Sequence, residues 1–503
     1  MNKIQKIQSW LSQKIWFLVL LPVFYLLHMV TEYQPVLTLK DLFIPVTAWL
    51  LGIPVLLYFI INYVKPLAKY AVVVLYVEIV FFFFSTIHLF LIRYLPLLSH
   101  YKYLLPLLTV GGILLILYAR KKKVPPFRFY FYLNTLLTIL LLIECGQLVI
   151  TSPKISKALS FNNNDDLPPI PQCDSCKKPD VYFIIFDEFE SSKGINKFWQ
   201  YDNSGLDSFL TNNGFYCASN SKSNYNFTPF SIGSILNMDY LKMRFDTEIN
   251  LQLYGKGIKT VVNNRVCRIF QQQGYTIINH SFFLMPGDEP RQNPGFLINR
   301  TDLLLTPTLY YRFIKEIGWN FRNMLPFKKG VTKEMENDAR LNLQQIQSTY
   351  KDLLAVAEQP HDKPVFVYGH IMLPHDPFFF DSTGHLTPDS TWYNGFTDKD
   401  RYLPQLKYTN TLVKNLALTL QKPGNRPRII IIQGDHGFRG FPDSMKELEF
   451  SNLNAIYFPD RQYAGLYDSI SSVNTFRVIL HKYFNATLPL LKDSTVYIRH
   501  YKK

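Results

Sequence analysis

Five long apolar stretches fill the first third of the chain, each near the ~20 residues that a helix needs to cross a bilayer. No amphipathic period runs through them, which separates them from the one-sided helices of a soluble protein. They cover residues 15–31, 41–63, 70–92, 103–119 and 130–151. The first stretch is too long for a signal peptide and has no small-residue cleavage site, so we expect it to be retained. The pattern predicts a five-span α-helical membrane domain over residues 1–151.

Basic residues fall in alternate connections between these stretches. They occupy the N-terminal tail and the loops after the second and fourth stretches, at Lys3, Lys6, Lys14, Lys65, Lys69, Arg120, Lys121, Lys122, Lys123 and Arg128. The other loops hold only Lys40, Arg93 and Lys102. By the positive-inside rule, the N-terminus faces the cytoplasm and an odd number of spans places everything after residue 151 outside. We expect a multi-pass protein of the cytoplasmic (inner) membrane with an extracytoplasmic, periplasmic domain.

The formal charge of +15 is mostly a consequence of this topology. Residues 1–151 contain 13 Lys and Arg against 4 Asp and Glu, which leaves +6 for the rest of the chain. A basic excess located beside membrane spans needs no separate binding patch. We therefore expect no nucleic acid among the partners.

The segment 152–179 is rich in Asn, Asp and Pro, which predicts an extended linker without a core. It contains Cys173 and Cys176, whose spacing fits half of a zinc knuckle, but no second pair follows. An exported domain favours a disulfide instead, with Cys217 and Cys267 as further partners. The pairing stays open.

Residues 180–503 show strand patterns alternating with helix patterns, which favours a parallel sheet with crossover helices. The expected strands are 181–186, 275–279, 364–371, 428–433 and 454–458. Leucines and a valine between Leu403 and Leu420 recur at helical spacing and predict a helix before the fourth strand. The fold class is thus an N-terminal multi-span α-helical membrane domain followed by an α/β domain with a mostly parallel central sheet.

Acidic residues follow two of these expected strands. Asp435 and His436 come after the isoleucine run 429–432, between Gly434 and Gly437, and Asp187 follows the first strand. Ligands of open α/β sheets bind at the carboxyl ends of strands. Carboxylate oxygens and an imidazole suit zinc, manganese or magnesium. The alternatives are a helix cap for Asp187 and a solvated loop for the Asp-His pair.

Thr228 and two histidines complete the candidate chemistry. Thr228 precedes Pro229, which biases it toward an extended conformation and predicts a helix starting there. A hydroxyl at a helix N-terminus and beside a metal is a competent nucleophile, although a simple N-cap fits the same pattern. His370 and His375 follow the third expected strand and can bind a metal, contact a substrate oxyanion or act as general acid.

In chain order these motifs resemble the alkaline phosphatase superfamily. They are the strand-Asp at Asp187, Asn-x-Thr-Pro-x-Ser at 226–231, His-x-x-x-Pro-His-x-Pro at 370–377 and Gly-Asp-His-Gly at 434–437. Within it, the chain is similar to the membrane-anchored sulfatase-like group that contains lipoteichoic acid synthases and phosphoethanolamine transferases. The resemblance covers 180–503, and five spans before an outer domain match that group as well.

The resemblance implies a role for each candidate residue. The metal ligands would be Asp187 (often glutamate in those transferases), Thr228, Asp435 and His436. Thr228 would also be the nucleophile that forms a covalent phospho-threonine. His375 would contact the substrate or protonate the leaving group, with His370 as a helper. One divalent ion, Mn, Zn or Mg, is expected; for a second ion only the scattered Glu188, His280 and His481 are candidates.

The function expected on this basis is a metal-dependent transferase of phospho-head groups from membrane lipid donors to an envelope glycan or lipid, at the outer face of the cytoplasmic membrane. One alternative is a phosphoester or sulfate ester hydrolase with the same site. Sulfatases, however, carry a Cys- or Ser-x-Pro-x-Arg signature whose first residue becomes formylglycine, and threonine at position 228 cannot. The other alternative is an inactive membrane protein that keeps the fold for binding.

Overall fold

The computed structural model forms two compact units. The first comprises residues 1–164 and 298–331, and the second comprises residues 165–297 and 332–503. The structure describes residues 15–33, 67–121, 127–150, 178–243, 251–285, 302–313, 328–388 and 399–499, with positions 47, 52, 170, 249 and 392. The division into 1–151, 152–179 and 180–503 drawn from the sequence stays a prediction.

Helices make up the first unit and alternate with strands in the second. In chain order the helices are α1 (Phe17–Tyr33), α2 (Leu67–Phe82), α3 (Phe84–Tyr94), α4 (Pro96–Ser99), α5 (Tyr101–Lys121), α6 (Phe127–Ile150), α7 (Ser192–Trp199), α8 (Ser204–Asn212), α9 (Thr228–Asn237), α10 (Leu251–Val262), α11 (Arg265–Gln272), α12 (Asp302–Leu305), α13 (Leu309–Arg312), α14 (Lys328–Glu358), α15 (Lys399–Gln421) and α16 (Thr475–Phe484). The strands are β1 (Asp180–Phe186), β2 (Tyr216–Cys217), β3 (Thr276–His280), β4 (Val365–Ile371), β5 (Arg428–Gly434) and β6 (Asn454–Tyr457). Short 3-10 helices cover Asp443–Phe450 and Ser472–Asn474.

The first unit contains helices suited to a bilayer. Within the described residues, α5 and the stretch Arg128–Ile150 of α6 are long and apolar enough to cross a membrane. The helices α2 and α3 meet at a bend of 73° and count as a third span if taken together. The shorter apolar helix α1 overlaps the first expected span. The second expected span, 41–63, lies almost wholly outside the described residues, so the count of five and the orientation stay predictions.

Polar contacts in the first unit join its helices to each other and to the segment that returns at α12. His28 Nδ1 lies 2.7 Å from Glu144 Oε1 and thereby links α1 to α6. The hydroxyl of Tyr25 donates to the Leu304 carbonyl at 2.8 Å, and Ser85 N donates to the Pro307 carbonyl at 3.0 Å. Residues 298–331 therefore belong to the helical unit, although the residues before and after them in the sequence belong to the sheet-containing unit.

The second unit is built around a six-stranded sheet of order β2-β6-β5-β1-β4-β3. The strands β5, β1, β4 and β3 are parallel, whereas β6 and β2 pair antiparallel at one edge. Every residue of β1, β4 and β5 is buried, as expected for strands covered on both faces. The mostly parallel central sheet is confirmed.

The structure confirms all five expected strands to within one residue at each end. The sequence missed β2, because a strand of two residues carries no period. The helix expected before β5 is α15. Cys217 and Cys267 are free, as is Cys145 in the first unit; Cys173 and Cys176 lie outside the described residues.

Candidate active site

The register of the sheet brings the candidate ligands to one edge. Phe186 at the end of β1 pairs with Gly434 at the end of β5, so Asp187 and Asp435 leave their strands at the same level. Ile185 pairs with His370 of β4, on the other side of β1. Adjacent parallel strands thus place two carboxylates and an imidazole together, as expected at the carboxyl ends of such a sheet.

The glycines around the Asp-His pair allow a close approach of backbone segments. A Cβ added at Gly434 would lie 2.6 Å from the Phe189 carbonyl oxygen. One added at Gly437 would lie 2.3 Å from Glu190 Oε2 and 2.5 Å from the Leu448 carbonyl oxygen. Real side chains do not tolerate such distances, so only glycine fits at both positions.

His436 presents an acceptor nitrogen to the site. Its Nδ1 lies 2.8 Å from the Gly437 carbonyl oxygen, which assigns the ring proton to Nδ1 because a carbonyl only accepts. The lone pair of Nε2 then points 3.3 Å from Asp435 Oδ2 and 3.3 Å from Thr228 Oγ1. A backbone partner that fixes the tautomer in this way is typical of metal-binding histidines.

Two buried carboxylate oxygens at the site have no hydrogen-bond partner among the described residues. They are Asp187 Oδ1 and Asp435 Oδ2. The other oxygen of Asp435 accepts from Glu188 N at 3.0 Å, so the free oxygen is the one that faces His436. Buried acceptors left without donors are costly. Two carboxylate oxygens without donors beside an imidazole nitrogen form a site that a cation would stabilise.

The donor set fits a divalent metal. Ligand atoms of Asp187, Asp435 and His370 all lie within 4.8 Å of one another, and all three residues are buried. His370 Nε2 is engaged with Asp187 Oδ2, so the donors open to an ion are the carboxylates of Asp187 and Asp435, His436 Nε2 and the Thr228 hydroxyl. Such a set suits zinc, manganese or magnesium. The chain can therefore hold a divalent ion here; which ion it holds stays open.

His370 is placed to orient Asp187. Tyr368 donates its hydroxyl proton to His370 Nδ1 at 2.8 Å, which leaves Nε2–H to donate to Asp187 Oδ2 at 3.0 Å. Burial alone would raise the pKa of Asp187, but the imidazoles of His375, His370 and His436 hold that pKa well below its usual range. The contacts of His370 favour a positioning role, and its direct part in catalysis stays a prediction.

Thr228 begins helix α9 and faces the metal ligands. The N-cap residue is Phe227, so Thr228 is the first helical residue and Pro229 the second, one position later than expected for the proline. Thr228 Oγ1 lies 3.5 Å from Asp187 Oδ2 and 3.3 Å from His436 Nε2, with the side chain buried. Ser231, one turn later, donates to the Asp435 carbonyl at 2.5 Å and ties the helix to the Asp-His loop. Thr228 is therefore not the helix cap.

His375 lies in a second cluster with Glu188 and Asp376, whose ligand atoms also fall within 4.8 Å of one another. Burial would lower the pKa of His375, but the carboxylates of Asp376, Glu188 and Asp187 raise it to about 9. His375 Nε2 contacts Arg439 Nη2 at 2.7 Å and lies 3.7 Å from Glu188 Oε2. Because a guanidinium only donates, the Arg439 contact is a hydrogen bond while His375 Nε2 carries no proton, and a proton on Nε2 would face Glu188 Oε2.

The other candidates for a second metal lie apart from one another. Glu188 belongs to the His375 cluster, whereas His280 ends β3 and His481 lies in α16, where its Nδ1 contacts the Ala486 carbonyl at 2.9 Å. The structure does not bring these three residues together.

Three further residues approach the site without having been singled out from the sequence. Arg439 follows the Asp-His motif and contacts His375. Glu190 holds the same loop, since its Oε2 accepts from Phe438 N at 3.1 Å. The hydroxyl of Tyr254 is within electrostatic range of Asp187 and Arg439, and burial raises its pKa. Arg439 and Glu190 lie close in sequence to the Asp-His motif and to Asp187, and this closeness could have marked them as site residues. Nothing in the sequence marks Tyr254.

Comparison with known proteins identifies the family. A model of the sulfatase family matches residues 192–476, more than half of the chain. The chain therefore belongs to the sulfatase family, within the alkaline phosphatase superfamily, and is an enzyme of that superfamily. The resemblance seen in the motifs is confirmed. Asp187 lies just before the matched region, whereas Thr228, His375, Asp435 and His436 lie inside it.

Several solved structures are similar at low identity. The C-terminal periplasmic domain of EcEptC from Escherichia coli is 12% identical over 67% of this chain and 95% of that chain, with a TM-score of 0.39. The integral membrane protein lipooligosaccharide phosphoethanolamine transferase A (EptA) from Neisseria meningitidis is 13% identical over 96% of both chains, with a TM-score of 0.38. The phosphonate monoester hydrolase SpPMH from Silicibacter pomeroyi is 13% identical over 63% of this chain and 75% of that chain, with a TM-score of 0.34. No curated protein matches the chain.

Proposed function

We propose that the protein is a membrane-anchored, metal-dependent transferase that moves a phospho-head group through a covalent phospho-threonine at Thr228. The observation that carries this proposal is the position of Thr228 Oγ1, buried at 3.3 Å from His436 Nε2 and 3.5 Å from Asp187 Oδ2. A hydroxyl so close to two proposed metal ligands sits where a nucleophile is activated. The hydroxyl is not needed to cap α9, since Phe227 takes the capping position of that helix.

The metal would be held by Asp187, Asp435, His436 and the hydroxyl of Thr228. When bound, a divalent ion lowers the pKa of a neighbouring hydroxyl and offsets negative charge on a phosphodiester. His370 keeps Asp187 in place through its 3.0 Å bond to Oδ2, and the Gly437 carbonyl keeps His436 in its tautomer. The free carboxylate oxygens of Asp187 and Asp435 support this assignment.

The proposed reaction has two halves, and both use Thr228 and His375. Thr228 Oγ1, after losing its proton to solvent, forms a bond to phosphorus, and the bond between phosphorus and the leaving alcohol breaks. His375 gives a proton to the leaving oxygen. In the second half, the acceptor hydroxyl attacks the phospho-threonine and His375 takes back a proton from it. The bond between phosphorus and Thr228 Oγ1 breaks, and Thr228 Oγ1 regains a proton from solvent. A group with its pKa raised to about 9 is protonated at neutral pH, as the first half requires.

The membrane helices support a lipid donor. Helices long and apolar enough to cross a bilayer would tether the chain to lipid, so the donor we propose is a phospholipid and the leaving alcohol is diacylglycerol. The acceptor is a hydroxyl of an envelope glycan or lipid. The positive-inside pattern supports a location at the outer face of the cytoplasmic membrane, with the sheet-containing unit in the periplasm.

Hydrolysis is the second candidate, since water can take the place of the acceptor hydroxyl in the same site. Thr228 distinguishes phosphate from sulfate chemistry. It occupies the nucleophile position of α9, and a threonine cannot be oxidised to the aldehyde that sulfatases use. Phosphoester chemistry is therefore favoured over sulfate ester chemistry at this site.

The test uses purified full-length protein in detergent, with Mn, Zn or Mg and a phosphatidylethanolamine or phosphatidylglycerol that carries a fluorescent tail. We expect fluorescent diacylglycerol from the wild type and from Thr228→Ser, and none from Thr228→Ala. Thr411→Ala, which changes an exposed threonine of α15, is the matched control and should behave as the wild type.

Two results would contradict the proposal. Release of diacylglycerol by Thr228→Ala at the wild-type rate would exclude Thr228 as nucleophile. Turnover of soluble phosphodiesters, with no release from either lipid, would assign the protein to the hydrolases.

A further inference from the structure

Arg439 is a positively charged residue of the site, and the proposed mechanism gives it no role. It follows the Asp-His pair on the same loop, and its backbone N donates to Glu188 Oε1 at 2.7 Å. Glu188 in turn follows Asp187. The backbone of Arg439 is therefore fixed to the residue next to a proposed metal ligand.

The guanidinium lies among residues adjacent to the proposed catalytic groups. Its Nη2 lies 2.7 Å from His375 Nε2 and its Nε lies 3.6 Å from Glu188 Oε1. Its Cζ stands 4.8 Å from the centre of the Phe227 ring, and Phe227 precedes the nucleophile Thr228. A cation over an aromatic face is held in orientation without using its hydrogen-bond donors.

The guanidinium is the member of this cluster that remains open to a ligand. The side chain of Arg439 is 23% exposed, against 6% for Glu188 and 10% for His375. A guanidinium has five N–H donors in a planar fork that matches two oxygens of a phosphate. The observed contacts use only part of this fork.

Arg439 also bears on the number of metal ions. Glu188, His375 and Asp376 have the spacing of a metal site, but Arg439 Nη2 is within hydrogen-bond distance of the nitrogen that His375 would offer. The backbone of Arg439 already donates to Glu188 Oε1. The fixed positive charge thus occupies the place where a second ion would bind.

We infer that Arg439 binds the phosphoryl oxygens of the substrate, and that its guanidinium serves as the second cation of a site that holds a single metal ion. This inference rests on the proposed phosphoryl transfer and adds to it the residue that recognises the anion. The substrate class it implies is a phosphoester with at least one unesterified, negatively charged oxygen, which pairs with the fork opposite the metal.

The experiment measures the affinity of metal-loaded full-length protein for inorganic phosphate by titration calorimetry, together with metal content per chain. The variants are Arg439→Gln and Arg439→Lys, with Arg340→Gln as control because Arg340 is an exposed arginine of α14. We expect one metal ion per wild-type chain. Loss of a charged hydrogen-bonding partner should weaken phosphate binding roughly 10- to 100-fold in Arg439→Gln.

Arg439→Lys separates charge from geometry and guards against a misfolded glutamine variant. Lysine keeps the charge but not the fork, so we expect an affinity between those of the wild type and Arg439→Gln. In turnover, both variants should raise KM more than they lower kcat. Wild-type phosphate affinity in both variants would overturn the inference, and so would two metal ions per wild-type chain.

The failure of this inference can be told from failure of the proposed function. Phosphate affinity is measured without turnover, so it reports on Arg439 whether or not Thr228 is the nucleophile. Wild-type turnover by Thr228→Ala, combined with weakened phosphate binding in Arg439→Gln, would refute the proposed nucleophile and keep Arg439 as the anion-binding residue.

Discussion

The substitution Asp435→Asn should change stability with opposite signs in the absence and presence of metal. The carbonyl oxygen of the new amide can keep the 3.0 Å bond from Glu188 N. Its NH₂ group then replaces Asp435 Oδ2, which lies 3.3 Å from His436 Nε2 and has no donor. In the wild type, Asp435 Oδ2 and His436 Nε2 are acceptors that face each other. In the variant, the amide NH₂ can donate to His436 Nε2, and only the Asp187 carboxylate remains of the two buried at the site.

The size of both effects follows from this geometry. One new hydrogen bond is worth about 1 kcal/mol, so without metal the variant should be at least as stable as the wild type. A metal at one hundred times its Kd stabilises the wild type by about 2.7 kcal/mol. That corresponds to a rise in melting temperature of about 5 °C for a unit of this size. The variant, lacking a charged ligand, should gain little.

The assay is thermal unfolding of full-length protein in detergent, in chelator and with added Mn or Zn. Asp362→Asn, which changes an exposed carboxylate, is the control and should follow the wild type in both conditions. The reasoning is refuted if Asp435→Asn melts below the wild type in chelator, or if it keeps the full metal-induced rise.

Three further predictions concern the residues around the metal ligands. Gly437→Ala should lower the free energy of unfolding by about 1–3 kcal/mol in thermal or chemical unfolding, because its Cβ would meet Glu190 Oε2 at 2.3 Å. Gly205→Ala is the control and should have little effect, since nothing lies within 4 Å of its Cβ. Equal effects of the two substitutions would contradict the packing argument. His370→Ala should weaken metal binding roughly 10- to 100-fold in chelator competition, since Asp187 loses its orienting partner; unchanged affinity would remove that role. The carboxylates that raise the pKa of His375 to about 9 keep it protonated below that pH, so release of a poor leaving group should fall as pH rises through about 9, and His375→Gln should lose this limb of the pH profile.

The sheet was predictable because its strands are short apolar runs. Continuous runs such as Val181–Phe186 and Ile429–Ile432 show burial on both faces, and alternation with helices indicates parallel pairing. The antiparallel strand β6 cannot be told from the parallel strands by its sequence, because a short apolar run does not indicate the direction in which its strand pairs. The place of residues 298–331 in the helical unit was equally hidden, because it depends on distant contacts such as that between Tyr25 and Leu304.

The site was predictable where a residue follows a strand or begins a helix. Asp187, Asp435 and Thr228 are placed by those boundaries, and the register then brings them together. Arg439 was marked only by its closeness in sequence to the Asp-His motif, and Tyr254 reaches the site by the direction of its side chain, which no local pattern encodes. The second cluster was missed for the same reason, since Glu188 and Asp376 meet only through the fold.

The central claim is that Thr228 becomes covalently phosphorylated by the donor. The most direct measurement mixes metal-loaded full-length protein with a phospholipid donor, withholds the acceptor, quenches the reaction with acid and maps the modified peptide by mass spectrometry. The account predicts a phospho-head group on Thr228 that forms with metal, fails to form in chelator and disappears when an acceptor hydroxyl is added. Donor cleavage that leaves Thr228 unmodified, or a label on another residue, would contradict it.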